Sequence, residues 1–273
     1  MKIRTIAAVA VAVAGTCAFG AAQAAPPSNP VATQGTIGAD YTYTGYDQGL
    51  GNSNTYGGEV AGITPFGSDW SGQLSGGYHA NDFNNGGPHL SDWNVAGTIS
   101  WNQPWGRLGV NVGYDGLSGG GAHVNVTNYG VYGLYYPNAQ WTLGLRGGGF
   151  SADAGAFGFG GSQTGGYVGG EVAGYATPNL EIQGNVNYAG VSGLNQTTAG
   201  LRGEWLISQT TPFSVWAGYT YTDIHFSGFG SVTSNAGSFG VKYYFGGMPS
   251  SLVDHRRSGV DEFGPATVNF ITF

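Results

Sequence analysis

The chain is poor in cysteine and in charge. Cys17 is the only thiol among 273 residues, and charged residues make up 8%, against roughly 25% in an ordinary globular protein. A single thiol excludes an internal disulfide and a cysteine-based metal site. The chain also contains no phosphate loop, dinucleotide fingerprint or zinc-ligand spacing, so neither a cofactor nor a metal ion is predicted.

Basic residues and long apolar runs are scarce as well. Eight Lys and Arg stand against fifteen Asp and Glu, for a net charge of −7 at pH 7. Nucleic acid is therefore excluded as a partner, because binding to phosphates needs clustered cations. Beyond residue 25 no apolar run approaches the ~20 residues that a membrane-spanning helix requires.

The first 24 residues have the pattern of a cleaved secretory signal peptide. Lys2 and Arg4 precede the apolar segment 6–14, and residues 22–24, Ala-Gln-Ala, form a small-residue cleavage site. An apolar core of this length is too short to span a bilayer as a helix. The mature protein is predicted to begin at residue 25, without Cys17.

Glycine and aromatic residues, in contrast, are abundant, with 53 Gly, 7 Trp, 17 Tyr and 14 Phe. Disordered chains are poor in aromatic residues, so this composition argues against disorder. Apolar side chains alternate with polar or small ones from Trp93 to Trp101 and again from Leu108 to Tyr114. A period of two predicts β-strands, here a hairpin with its turn at residues 103–106.

Prolines recur at a near-constant spacing of 33 to 41 residues. The series is Pro30, Pro65, Pro104, Pro137, Pro178, Pro212 and Pro249. Proline cannot donate to a β-ladder and belongs at strand ends and turns, so each interval accommodates two strands and one loop. Six intervals predict twelve strands, joined alternately by connections of three to five and of seven to sixteen residues.

This pattern predicts an all-β fold, a transmembrane, antiparallel, up-and-down β-barrel of about twelve strands over residues 25–246. Short turns at one end and longer loops at the other are typical of such barrels, with the turns periplasmic and the loops extracellular. Aromatic belts at the two membrane interfaces are expected as well. Rings near the predicted short turns are Trp70, Trp101, Trp105, Trp141, Trp205 and Trp216; those at the other end are Tyr46, Tyr56, Tyr78, Tyr114, Phe150, Tyr167, Tyr188 and Phe226.

The segment 239–245, Phe-Gly-Val-Lys-Tyr-Tyr-Phe, is the most specific local motif. With Phe239, Gly240, Tyr243 and Phe245 it resembles the barrel-assembly signal in the last strand of Gram-negative outer-membrane β-barrels, porin-like in the broad sense. By architecture the resemblance covers residues 31–246. It implies a location in the bacterial outer membrane, with outer-membrane lipid, lipopolysaccharide and the barrel-assembly machinery as partners. It does not specify a subfamily.

Because successive side chains of a strand point to opposite faces, the position of each charged residue in its strand predicts that it faces the lumen. If Leu143 and Leu145 face lipid, then Arg146 faces inward, and the same alternation applies to the other strands. The predicted lumen charge network comprises Asp40, Glu59, Arg107, Arg146, Glu171, Arg202, Glu204 and Lys242. Both signs occur in similar number. Either a salt-bridge network that fills the barrel or a transverse field that lines a narrow pore is compatible with this set.

The functional expectation is a small passive diffusion channel, with small polar molecules as its solutes, or a structural surface protein. The alternative is a surface enzyme with its site on the extracellular rim, either an omptin-like protease or a lipid A-modifying hydrolase. Asp223 and His225 faintly resemble the acid–x–His pair of omptins, but solvated loop residues are the favoured interpretation, and no catalytic residue is assigned.

The segment 247–273 is predicted to be a C-terminal periplasmic tail, because an even number of strands returns the chain to the side on which the barrel began. It contains charged residues at 254–257 and 261–262. A disordered terminus, a plug folded into the lumen and a contact with the cell wall are all compatible with its sequence.

Overall fold

A computed structural model describes most of the predicted barrel and part of the tail. The described residues are 32–49, 51–84, 87, 89–119, 122–154, 162–208, 210–228, 230–246 and 251–263. The predicted signal peptide, with Cys17, lies outside these residues, and so does the tail from residue 264 onwards.

Twelve strands account for nearly all of residues 34–245, so the predicted strand number is confirmed. They are β1 (Gln34–Tyr46), β2 (Asn52–Phe66), β3 (Trp70–Phe83), β4 (Leu90–Gln103), β5 (Gly106–Gly119), β6 (Ala122–Asn138), β7 (Trp141–Ala154), β8 (Ser162–Thr177), β9 (Leu180–Val191), β10 (Leu194–Ser208), β11 (Thr211–Phe226) and β12 (Gly230–Phe245).

The sheet closes into a barrel. Each strand pairs antiparallel with its neighbours in sequence, and β1 pairs with β12. In this closing pair Gly35 lies opposite Phe245 and Tyr46 lies opposite Ser234, so the pairing extends along nearly all of β1. Closure pairs every strand on both sides and leaves no exposed sheet edge. The predicted antiparallel up-and-down barrel is confirmed.

The two faces of the sheet differ as the alternation requires. On the outer wall Leu74, Val131 and Leu145 are 65%, 61% and 72% exposed. The side chains between them point inward, and many are polar and buried, such as Gln73 and Arg107. A continuous apolar outer wall around a polar interior is the reverse of the pattern that a water-soluble domain presents.

The strands are longer than the alternation predicted, and several prolines lie in strand ends rather than in turns. Pro65 and Pro137 are the penultimate residues of β2 and β6, and Pro212 is the second residue of β11. At one end of the barrel, here called the turn end, the connections have two or three residues; at the other, the loop end, they have two to seven. Connections predicted to have thirteen and sixteen residues have six and seven, because both strands of each hairpin extend further.

Five aromatic side chains assigned to the belts belong to the inward phase of their strands instead. Phe150 is 1% exposed in an inner apolar cluster with Val124 and Val126, and Tyr167 packs against the same cluster. Trp216 lies beneath the guanidinium of Arg202. Tyr46 shares the inward phase of Thr44 on β1, and Phe226 shares that of Ile224 on β11. Parity alone would have placed Phe150 correctly, since it follows the inward Arg146 by an even number of residues.

Glycines on the inner wall make room for large side chains from neighbouring strands. The ring of Tyr132 lies over Gly109, where an added Cβ would fall 2.3 Å from the ring. Tyr167 crosses Gly148 to reach Gly130, where an added Cβ would fall 2.1 Å from its hydroxyl oxygen. Large inward side chains therefore lie flat against the wall, and part of the glycine content is a packing requirement of the lumen.

Residues 251–263, called the plug below, lie inside the barrel. They contact β3, β5, β8, β10 and β12, and only a segment within the lumen can reach strands so widely distributed around the wall. The plug begins with a short helix, α1 (Leu252–Ser258), whose N-cap Ser251 accepts a hydrogen bond from the amide of Asp254. The sequence was compatible with a disordered tail, a plug in the lumen or a contact with the cell wall. The described part of the tail forms a plug. In the part of the chain that is described, no helix is long and apolar enough to cross a membrane.

Candidate functional site

The plug occupies the turn end of the lumen. The amide of Leu252 donates to the carbonyl of Pro178, in the turn between β8 and β9, at 2.8 Å. Arg257 Nη2 donates to the carbonyl of Trp141, the first residue of β7, at 3.1 Å. These contacts anchor α1 where the strands are joined by their shortest connections.

Two apolar clusters hold the ends of the plug. At its start Leu252 and Val253 pack with Tyr175, Leu206 and Tyr244, all of them at most 3% exposed. At its end Phe263 packs with three residues of β6, Tyr132, Leu134 and Tyr136. Apolar burial therefore contributes to docking at both ends, and the segment between them is bound mainly through charge.

Glu262 of the plug completes an ion-pair cluster on the wall. Its carboxylate contacts Lys242 Nζ on β12, and Arg202 Nη1 on β10 donates to it at 3.0 Å. Both cations also contact Glu204, Arg202 at 2.6 Å and Lys242 at 3.5 Å. Burial by itself would raise the pKa of the Glu262 carboxyl, but Lys242 and Arg202 hold that pKa well below its ordinary value. The plug therefore supplies an ionised carboxylate to two wall cations.

A second ion pair has the opposite polarity, with the cation on the plug. Arg256 contacts the carboxylate of Glu171 on β8, which also accepts a hydrogen bond from Gln183 at 2.6 Å. Arg146 contributes differently, because its Nη2 donates to Asn187 at 2.7 Å and its Nη1 donates to the carbonyl of Phe263 at 3.0 Å. The wall residues Glu171 and Arg146 therefore both bind the plug.

Arg107 on β5 is completely buried beneath the plug. Its Nη2 donates to the carbonyls of Arg257 and Gly259 at 3.0 and 3.3 Å, and its Nε donates to Asn102 at 2.8 Å. Its Nη1 lies 3.7 Å from the carboxylate of Asp261. A fully buried guanidinium is tolerated only with such compensation, so Arg107 and the plug depend on each other.

The loop end of the lumen holds a charged triad that the sequence analysis did not identify. His79 Nε2 lies 3.2 Å from Asp40 and His79 Nδ1 lies 3.2 Å from Asp92. With a carboxylate at each ring nitrogen, both nitrogens act as donors, which defines the imidazolium form. His79 reaches Asp40 across Gly57, which has no side chain to block it. Parity was the available signal, since His79 lies an odd number of residues after the outward Leu74.

Solvent reaches the lumen above the plug. The side chain of Glu59 is 52% exposed although it lies 3.8 Å from Lys242, and those of His79 and Asp92 are 24% and 28% exposed. The structure therefore brings Glu59, Arg202, Glu204 and Lys242 together around the plug. Asp40 belongs to the separate triad at the loop end.

The residues behind the enzyme alternative do not assemble into a catalytic pair. Asp223 and His225 lie on β11 in alternation with the buried Thr222 and Ile224, so both point away from the lumen. His225 Nδ1 contacts the hydroxyl of Ser231 at 3.0 Å. No group of three or more potential metal ligands occurs among the described residues.

The segment with the assembly motif lies on the outer wall of the closing strand. Phe239, Tyr243 and Phe245 are 60%, 39% and 39% exposed. Gly240 lies beneath Trp216, where an added Cβ would fall 2.7 Å from the indole nitrogen. The part that these residues have in assembly stays a prediction.

Several solved structures resemble the chain in fold at low sequence identity. The translocator domain of the autotransporter NalP from Neisseria meningitidis has a TM-score of 0.51 at 16% identity, with 90% of this chain and 95% of that chain covered. The KdgM porin has a TM-score of 0.49 at 12% identity, covering 76% and 99%. The CymD monoaromatic hydrocarbon channel has 0.49 at 8%, covering 81% and 90%.

Sequence comparison adds nothing to this likeness, since no protein-family model and no curated protein sequence matches the chain. At such identities the structural likeness concerns the fold alone. The chain is a closed twelve-stranded antiparallel barrel and resembles the NalP translocator domain in fold.

Proposed function

We propose that this chain is an outer-membrane barrel that serves as a small passive channel for polar solutes and that its own plug closes it. The observation that supports this function is a polar, charged lumen wide enough to hold a helical segment. An α-helix with its side chains has a diameter of about 10–12 Å. A lumen that accommodates α1 would, once vacated, be wide enough for small hydrated molecules.

The outer wall supports the membrane location. Its exposed residues are apolar in the middle of the strands, as at Val131, which is 61% exposed near the middle of β6. Tryptophans lie close to the turn end, where Trp70 and Trp205 are 48% and 53% exposed. An apolar band with aromatic residues at its edge matches the hydrocarbon layer and interface of a bilayer.

Replacing Val131 by arginine is expected to destabilise the barrel in lipid vesicles by about 2–4 kcal/mol, the typical penalty for a cation at the middle of the bilayer. Val131→Thr is the matched control, because it keeps the shape of the side chain and adds no charge. Urea unfolding in vesicles, followed by tryptophan fluorescence, measures the difference. Equal midpoints for the two variants would contradict a lipid-facing wall.

The channel is tested by removing the segment that fills it. Full-length protein in planar bilayers is expected to be nearly silent, and a chain that ends at Gly246 is expected to conduct steadily. A chain that ends at Phe263 keeps the plug and is the matched control, which should stay silent.

A structural surface protein is the second candidate. The inner apolar cluster of Val124, Val126 and Phe150 narrows the loop end and favours it. If the chain ending at Gly246 folds, as judged by circular dichroism and heat-modifiable migration, yet does not conduct, the channel is refuted and the structural role remains.

A further inference from the structure

His255 is a buried titratable residue in the helix of the plug. Its side chain is 7% exposed, and its ring packs edge-on against Tyr244 with 4.6 Å between ring centres. Leu252 and Val253 on the same helix join the apolar cluster that contains Tyr244. The Nε2 atom of His255 is buried without a hydrogen-bond partner in the described structure. A neutral imidazole is tolerated at this position, whereas an imidazolium would need an acceptor there.

Charged groups approach His255 from β10, from β12 and from the plug itself. They are Glu204, Lys242, Arg256 and Glu262. The tyrosines Tyr175 of β8 and Tyr244 of β12 also line the cluster at α1, and on β8 and β9 the carboxylates of Glu171 and Glu181 face Arg256.

Neither carboxylate near His255 is available to a protonated ring. Glu204 accepts hydrogen bonds from Ser214 and Tyr244, both at 2.6 Å, and contacts Arg202 and Lys242. Glu262 is bound by the same two cations. Protonation of the docked ring would therefore place an additional charge in a site whose acids are already paired, beside Lys242 and Arg256.

His255 consequently differs in proton affinity between the docked plug and a released plug. Burial, reinforced by Lys242 and Arg256 and opposed by Glu262 and Glu204, lowers the pKa of docked His255 to about 4. In a released, hydrated plug the pKa returns to about 6.5. The released state binds more protons between these values, so docking is strongest above pH 6.5 and weakens as the pH falls towards 4. At pH 5 the docking equilibrium is weakened about 30-fold.

We propose that the plug is an acid-sensitive gate in which protonation of His255 favours release and opens the lumen. This regulation rests on the proposed channel function. The ion pairs of Glu262 do not respond in the same range, because Lys242 and Arg202 overcome the effect of burial and keep Glu262 ionised well below its ordinary pKa. Through His255, mild acid therefore acts directly on the docking of the plug.

The test compares full-length protein in planar bilayers at pH 7.5 and pH 5.0. The open probability of the parent is expected to rise about 30-fold at pH 5.0. His255→Phe keeps the edge-on ring contact and cannot be protonated, so it should stay closed at both pH values. His225→Phe, on the outer face of β11, is the matched control and should open like the parent.

A second measurement tests release of the plug without relying on conductance. Amide hydrogen exchange over residues 252–258, corrected for the intrinsic pH dependence of exchange, should lose protection at pH 5.0 in the parent and retain it in His255→Phe. If His255→Phe does not fold, His255→Gln replaces it as the non-titrating variant, and exchange in the parent still tests release.

The outcomes separate the gate from the channel. Acid opening that persists in the His255 variants, or protection of residues 252–258 that is unchanged in the parent at pH 5.0, overturns the gate. If the parent also stays closed at pH 5.0 while the chain ending at Gly246 conducts, the gate fails and the channel stands. A folded but silent chain ending at Gly246 refutes the channel itself.

Discussion

Replacing Glu262 by lysine is expected to drive the plug out of the lumen. The new ammonium would lie beside Lys242 and Arg202, which now share the Glu262 carboxylate. Loss of one partner from a buried ion pair costs about 3–5 kcal/mol, and a third cation adds repulsion to that loss. Docking through the two apolar clusters and the remaining ion pairs is not expected to offset a change of this size.

Cleavage of the plug by trypsin measures this release directly. The chain has only eight Lys and Arg, and four of them, Arg107, Arg146, Arg202 and Lys242, lie within paired strands. Arg256 and Arg257 are 4% and 5% exposed in the docked plug. Mass spectrometry of the folded protein at pH 8 should show rapid cleavage after these two residues in Glu262→Lys and slow cleavage in the parent.

Asp254→Lys is the matched control for that experiment. It makes the same change in net charge and also adds one tryptic site within the plug. Asp254 lies in the first turn of α1, where each unit of charge changed against the helix dipole costs about 0.3–1 kcal/mol, so this reversal costs less than the loss of the paired carboxylate at Glu262. Equal cleavage after Arg256 and Arg257 in the two variants would show that the cluster around Glu262 does not hold the plug.

Arg107→Met is expected to lower the free energy of unfolding by about 3–5 kcal/mol. It removes the buried cation that pairs with polar groups of the plug and leaves those groups uncompensated. Arg107 is 0% exposed, and its loss deprives two plug carbonyls of their donor and Asp261 of a nearby cation. Methionine retains much of the aliphatic volume, so the effect reports mainly on polar compensation. Equilibrium unfolding in lipid vesicles measures it.

The same substitution in a chain that ends at Gly246 is the control. Without the plug, water fills the space around residue 107, and removal of a hydrated guanidinium should cost less than about 1 kcal/mol. A large difference between the two backgrounds is the signature of docking. A similar loss in both would mean that Arg107 stabilises the barrel wall irrespective of the plug.

The barrel itself was predictable because its information is local. A strand repeats every two residues, so outward Leu145 and inward Arg146 are distinguished by their adjacent positions alone. Turn composition and the proline spacing then supplied the strand number. Local signals overestimated the connections, however, because residues such as those at the start of β8 (Ser162–Thr177) pair with β7 although their own composition resembles a loop.

Parity gave the face of each charged residue but not its partner. The network around Glu262 joins β10 and β12 to one residue of the tail and, through Lys242, to Glu59 on β2. A period of two carries no information about distance across a lumen. The His79 triad was missed for a related reason. Its three members lie on β1, β3 and β4, and they meet because Gly57 on β2 leaves space between them.

By itself the sequence determined the closed twelve-stranded barrel, since hydrophobic alternation specifies which face of each strand meets lipid and repeated hairpins leave closure as the way to pair the end strands. Only the tertiary structure decided where residues 251–263 lie. Their mixture of charged and apolar residues suits water as well as a lumen. The choice depends on wall charges, such as Arg107, Glu171 and Lys242, that the fold brings together to bind them.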